Sequence, residues 1–122
     1  MAHILVIDDS ATIRAILKSA LEAKGYQVTE GSDGEIGLEL AQTQKPDLIL
    51  LDAFLPKIDG WKVCRQLKAI PLIQAIPIFM LTGQTEDIEQ MRGWEAGADE
   101  YITKSGDLGP LLTTIAKRLG NP

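Results

Sequence analysis

Apolar runs of strand length alternate along this chain with stretches whose apolar residues recur at helical spacing. The strand candidates are residues 3–7, 26–30, 48–51, 77–81 and 100–103. After the first, Ile13, Ile16, Leu17, Ala20 and Leu21 fall on one helical face. Ser10 stands where that helix needs a cap, and Gly25 where it needs a stop. A weaker helix is predicted over 35–44, behind the turn 31–34, and Pro46 closes it. The loop 53–59, which contains Pro56, leads to a helix over 60–69. Thr85, followed by Glu86 and Asp87, suits the start of a fourth helix that ends near Gly97. A fifth spans 108–119, with Pro110 in its first turn.

Strands without polar alternation predict burial on both faces, hence a parallel sheet. Strict alternation of strand and helix predicts a doubly wound α/β fold. No repeat or linker interrupts it, so residues 1–122 read as one domain.

Composition narrows the function. The 122 residues are 45% hydrophobic and 24% charged, enough for a self-sufficient core. The net charge is -5 and no basic run stands out, which argues against direct nucleic-acid binding. One cysteine, Cys64, excludes an internal disulfide, and Cys64 plus the single histidine, His3, are too few for structural zinc. His3 reads as a strand-start residue and Cys64 as a small core residue. There is no charged leader with a cleavable apolar stretch, and no apolar run approaches the ~20 residues of a membrane span. A cytoplasmic domain without membrane contact is expected.

In an open parallel sheet, ligands bind beyond the carboxyl ends of the strands. Those ends carry Asp8 and Asp9, Asp52, Thr82 and Lys104. Each alone is an ordinary turn or cap residue. Their joint arrival at four strand ends predicts a site. Three carboxylates in one place repel each other, and a hard divalent cation with oxygen ligands, Mg²⁺ or alternatively Mn²⁺, removes that repulsion. It also lets an acidic pocket accept an anionic phosphoryl group. Lys104 adds a positive charge, Thr82 a hydroxyl, and an aspartate can itself become an aspartyl phosphate.

The segments Ile4 to Asp9, Asp47 to Asp52, Pro56 with Asp59 and Gly60, Leu81 to Gly83, and Gly97 to Lys104 resemble the receiver domain of two-component response regulators. The likeness runs along the whole chain. It implies the strand order 2-1-3-4-5 of a flavodoxin-like three-layer sandwich. It implies that Asp52 accepts phosphate from a histidine kinase or phosphotransfer protein. Asp9 would then hold Mg²⁺ directly, Asp8 mainly through water, with Asp52 and the Phe54 carbonyl completing the protein ligands. Lys104 would pair with the phosphoryl oxygens, Thr82 would swing toward them, and Tyr101 would be the aromatic switch. A target protein would read the face formed by the fourth helix, fifth strand and fifth helix. The chain would be a stand-alone regulator of the chemotaxis type, monomeric or weakly dimeric, and no metabolic enzyme: it catalyses only its own phosphorylation and dephosphorylation.

Three positions depart from the family pattern. Ser105 follows Lys104 where proline is usual, and a non-proline cis bond there would cost about 2.5–4 kcal/mol. Phe54, two residues after Asp52, is bulky, and Gln84, two after Thr82, has no carboxylate to orient water, so slow autodephosphorylation is expected. Ala53 leaves the rim beside Asp52 open, while Trp61 and Trp94 read as packing residues, Trp94 with an option as a partner anchor. Three other readings compete: an unphosphorylated scaffold, a phosphate sink without a target, and a flavin protein of the same fold. The last is disfavoured because the carboxylates of Asp8 and Asp9 would repel a flavin phosphate.

Overall fold

The apolar runs become strands because their side chains find cover on both sides of a sheet. The computed structural model describes residues 2–82, 96–104 and 107–120. In chain order these form β1 (His3–Ile7), α1 (Ala11–Ala23), β2 (Gln27–Gly31), α2 (Gly34–Gln44), β3 (Leu48–Asp52), α3 (Gly60–Lys68), β4 (Ile78–Thr82), β5 (Glu100–Thr103) and a C-terminal helix, α4 (Gly109–Leu119). The predicted helix between β4 and β5 falls almost wholly on residues outside the described ones. All pairings are parallel, in the order β2-β1-β3-β4-β5, as expected.

Period-2 alternation along the central strands builds two cores, one on each face. Leu5, Ile7, Ile49, Leu51, Ile78 and Met80 meet α3 through Val63, Cys64 and Leu67. Ile4, Val6, Leu48, Leu50, Phe79 and Leu81 meet Leu17 and Leu21 of α1 and Leu111 and Ile115 of α4. The edge strands differ from the sequence expectation. β2 exposes Gln27 and Glu30, and β5 is only half-buried. Each lacks a neighbour on one side, so burial on both faces holds for the inner strands alone.

Helix ends follow local chemistry. Ser10 Oγ accepts from the Ile13 amide at 3.2 Å, the predicted cap. Asp33 and Asp59 cap α2 and α3 in the same way, through the amides of Ile36 and Lys62 at 2.8 Å. Lys45, with φ of 47°, closes α2 ahead of Pro46.

The sheet edge opposite the strand carboxyl ends has its own charged cluster. Lys68 Nζ donates to Asp99 Oδ2 at 2.8 Å and to the carbonyls of Gln74 and Ile76. Asp99 also accepts from the Ile78 amide at 2.8 Å. Every partner is structural: the cluster ties the end of α3 to the starts of β4 and β5. Cys64 is fully buried beside it, and burial pushes its thiol up to about 11, so it stays protonated. This bears out its reading as a core residue. His3 likewise starts β1, its Nε2 2.6 Å from Thr29 Oγ1.

Candidate functional site

Parallel pairing puts the strand carboxyl ends at one edge of the sheet. Asp52, the last residue of β3, lies in register with Leu81, one residue before Thr82. Thr82 is in register with Thr103, one residue before Lys104. Asp8 follows β1 directly, and its amide donates to the Gly31 carbonyl at 3.1 Å. The five residues predicted from the strand ends therefore share one edge.

Asp8 and Asp52 are almost fully buried, 1% and 4% exposed, and Thr82 is fully buried. Asp9 is exposed. A carboxylate oxygen from each of Asp8, Asp9 and Asp52 can be chosen so that all three lie within 4.8 Å of one another. That is a hard-oxygen donor set at the spacing a divalent cation needs, and the residues fit such an ion. The Phe54 carbonyl belongs to the adjoining loop, whose amide donates to Asp52 Oδ1 at 3.1 Å.

Lys104 Nζ sits 2.7 Å from Asp8 Oδ2 and 3.2 Å from Asp52 Oδ1. The sequence pointed it at a phosphoryl group; here it bridges the two buried carboxylates. Its backbone amide donates to the Thr82 carbonyl, which locks β5 to β4 at this point. Burial pushes the Asp52 carboxyl above its ordinary range, helped by the charge of Asp8; the Phe54 amide and Lys104 oppose the shift without cancelling it. Burial alone would lower the Lys104 ammonium. The hydrogen bond to Asp8 and the charges of Asp52 and Asp8 outweigh it, so Lys104 titrates above its usual value.

A row of aromatic rings runs away from Asp52. The Phe54 ring meets Trp61 edge-on at 6.5 Å, and Trp61 stacks on Tyr101 at 6.0 Å with planes 4° apart. Trp61 is 6% exposed, which bears out its packing role. Phe54 is 51% exposed, so the ring expected to shield the acceptor is half open to solvent and rests on Trp61. Nothing in the sequence pointed to the Trp61–Tyr101 contact, which joins residues 40 positions apart. Gln84, Trp94 and the Lys104–Ser105 bond involve residues outside the described ones.

A buried aspartate, a carboxylate cluster with the spacing of a cation site and a lysine thus gather at one end of a five-stranded parallel α/β sheet. The chain matches the family described as response regulator receiver domain over residues 4–116, and it belongs to that family: it is a receiver domain of a two-component response regulator. Its relatives include the alkaline phosphatase synthesis transcriptional regulatory protein PhoP of Bacillus subtilis, 50% identical over 101 residues, 83% of this chain and 41% of that protein. The DNA-binding dual master transcriptional regulator RpaA of Synechocystis is 39% identical over 115 residues, covering 94% of this chain and 48% of that protein. The chain thus spans less than half the length of these two relatives. Among solved structures, the chemotaxis protein CheY4 of Vibrio cholerae matches with a TM-score of 0.92 at 30% identity, over 98% of this chain and 99% of that one. The receiver domain of sensor histidine kinase PA1611 of Pseudomonas aeruginosa, solved with a magnesium ion coordinated in its active-site cleft, matches with a TM-score of 0.90 at 27% identity, over 98% of each chain.

The family implies a histidine kinase partner. The regulators named above are transcriptional, and one is DNA-binding, which runs against the expectation of no nucleic-acid partner. That expectation rests on the acidic charge of this chain and reaches no further than its own residues. Among the described residues no helix is long and apolar enough to cross a membrane.

Proposed function

We propose that this receiver is a phosphorylation-controlled switch that takes a phosphoryl group on Asp52 from a histidine kinase or phosphotransfer protein and then binds a target protein. One observation carries the reading: Asp52 is buried at the sheet edge, with Asp8 and Asp9 close enough to share a cation and Lys104 in contact. An Asp52 oxygen attacks phosphorus, the phosphohistidine P–N bond breaks, and the pair of electrons leaves with the imidazole. The product is a mixed anhydride at Asp52. Asp8, Asp9, Asp52 and the Phe54 carbonyl would hold Mg²⁺, which would supply positive charge to the phosphoryl oxygens. Lys104 exchanges a carboxylate for a phosphoryl oxygen, a charge-assisted contact it is already placed to make. Thr82 turns its hydroxyl toward the same group. The reaction is confined to the protein's own aspartate, so the domain is a switch rather than a metabolic enzyme.

The test is intact mass after incubation with acetyl phosphate, with Mg²⁺ and with EDTA, for the wild type and Asp52→Asn. A gain of one phosphoryl group that requires both Mg²⁺ and Asp52 is expected. A folded wild type that gains none with Mg²⁺ present sinks the proposal and favours an unphosphorylated scaffold.

The switch should be visible in the aromatic row. Phosphorylation moves the Phe54 amide off Asp52 Oδ1, and the displacement passes through Trp61 to Tyr101. In a Trp94→Phe background, Trp61 emission should change on phosphorylation, and the change should shrink in Tyr101→Leu. That second substitution also costs about 1 kcal/mol of ring stacking. Unchanged emission in protein shown by mass to be phosphorylated would remove Tyr101 from the switch.

A further inference from the structure

Asp9 poses a question the rest of the site does not. It is exposed, and no side-chain hydrogen bond or ion pair holds its carboxylate among the described residues. Asp8 and Asp52, by contrast, are each fixed by Lys104 and by a backbone amide, that of Ser10 at 2.9 Å and that of Phe54 at 3.1 Å. With nothing gripping its side chain, Asp9 can be aimed at the cluster only by its backbone.

The peptide that leads into Asp9 is held at its carbonyl. Arg14 Nη1 donates to the Asp8 carbonyl oxygen at 2.7 Å. The same guanidinium, through Nε, meets Glu30 Oε1 of β2 at 3.3 Å. Glu30 is held in turn by Lys18 Nζ, 3.7 Å from its other oxygen. The Arg14 side chain is 17% exposed and its bond to the Asp8 carbonyl is partly buried, while its anchor Glu30 lies on the exposed side of β2. Nη1 alone reaches the 8–9 peptide; the bond from Nε to Glu30 fixes the plane of the guanidinium and so the point from which Nη1 holds the Asp8 carbonyl. A single ammonium could satisfy one of these acceptors but not hold the peptide against the strand.

We infer that Arg14, anchored by Glu30, is a positioning residue that aims the Asp9 carboxylate into the divalent-cation site. The inference rests on the reading that Asp8, Asp9 and Asp52 hold such a cation. It gives a sign that simple electrostatics does not. Removing a positive charge beside three carboxylates should tighten cation binding by Coulomb attraction alone. Removing a positioning residue should loosen it, by the tenfold or more typical when a partner behind a metal ligand is lost.

The experiment is Mg²⁺ titration of the unphosphorylated protein by calorimetry, repeated with Mn²⁺ by paramagnetic resonance, with folding checked by circular dichroism. Arg14→Met should weaken Mg²⁺ binding about tenfold. Arg14→Lys, which keeps the charge and the fold but not the fork, should also weaken it, by less. In an Asp9→Asn background the Arg14→Met loss should largely vanish, because the group it aims is already crippled. Unchanged or tighter binding in Arg14→Met overturns the inference, as does wild-type affinity in Arg14→Lys should the methionine variant fail to fold. A loss undiminished by Asp9→Asn overturns it too, since Arg14 would then act elsewhere. A wild type that binds neither ion defeats the cation reading itself, and the inference falls with it.

Discussion

Lys104→Met should destabilise the metal-free protein by about 3 kcal/mol, and Mg²⁺ should restore part of the loss. The reason lies in what the ammonium covers. The side chains of Asp8 and Asp52 are 2% and 5% exposed, and Lys104 sits against both. Taking away one partner of a buried pair leaves charge without compensation, which costs about 3–5 kcal/mol. The low end applies because the Lys104 side chain is 27% exposed and water can enter in its place. A divalent cation held by Asp8, Asp9 and Asp52 would supply the missing charge. The variant should therefore gain more stability from Mg²⁺ than the wild type does.

The pH dependence follows from the same groups. The folded state holds the Asp52 proton more tightly than the unfolded chain does. Its contribution to stability is present in acid and is lost as pH rises from the ordinary carboxylate range through the folded value. Lys104 is also raised, so its contribution is full below its ordinary value of 10.5 and is lost only as pH rises beyond that. Without Lys104 the two carboxylates oppose each other unaided, and acidification relieves them. Urea unfolding at neutral pH and at mildly acid pH, with and without Mg²⁺, should show the gap between variant and wild type narrowing in acid and with the ion. A gap that neither condition changes would mean that Lys104 stabilises by packing its stem and not by its charge.

How much of this was legible in the sequence depends on the kind of contact. The runs at β1, β3 and β4 were plain because strands covered on both faces must be apolar throughout. β2 and β5 were found, but not their exposure, since an edge is a property of the sheet and not of the segment. Asp8, Asp9, Asp52, Thr82 and Lys104 were legible because each stands at the end of a predicted strand, and parallel topology converts that local fact into proximity. Arg14 was not: its main partner is a backbone carbonyl, which leaves no mark in residue identity. The Trp61–Tyr101 stack was hidden because two aromatic residues on separate elements meet only once β5 has been placed beside β4. Asp33 and Asp59 were legible as caps in principle, each preceding a glycine that opens a helix.

Gly60 is where sequence and site meet most tightly, and Gly60→Ala should be among the most damaging small substitutions in the chain. Gly60 opens α3, and its amide donates to the Ala53 carbonyl at 3.0 Å. A Cβ at this position would overlap the Asp52 carbonyl oxygen and lie 2.8 Å from the Ala53 Cα. Those are backbone atoms at and just beyond the end of β3 and cannot rotate away. Either α3 retreats, opening the core at Trp61 and Cys64, or the 52–53 peptide shifts and takes the Asp52 carboxylate with it. The expected loss is about 3 kcal/mol, the upper end for overpacking. Gly37→Ala is the contrast. A Cβ there would lie 2.5, 2.8 and 3.0 Å from Cδ1, Cγ1 and Cγ2 of the fully buried Ile7, so that side chain must repack, but no backbone atom is struck, and Gly37 lies inside α2, where alanine returns about 1 kcal/mol of helix propensity. Denaturant unfolding should rank Gly60→Ala well below Gly37→Ala in stability. Acetyl phosphate labelling under conditions where both are folded should be impaired only in Gly60→Ala. If the two variants prove equally stable and equally competent, then the approach of α3 to the Asp52 carbonyl does not set the position of the Asp52 carboxylate.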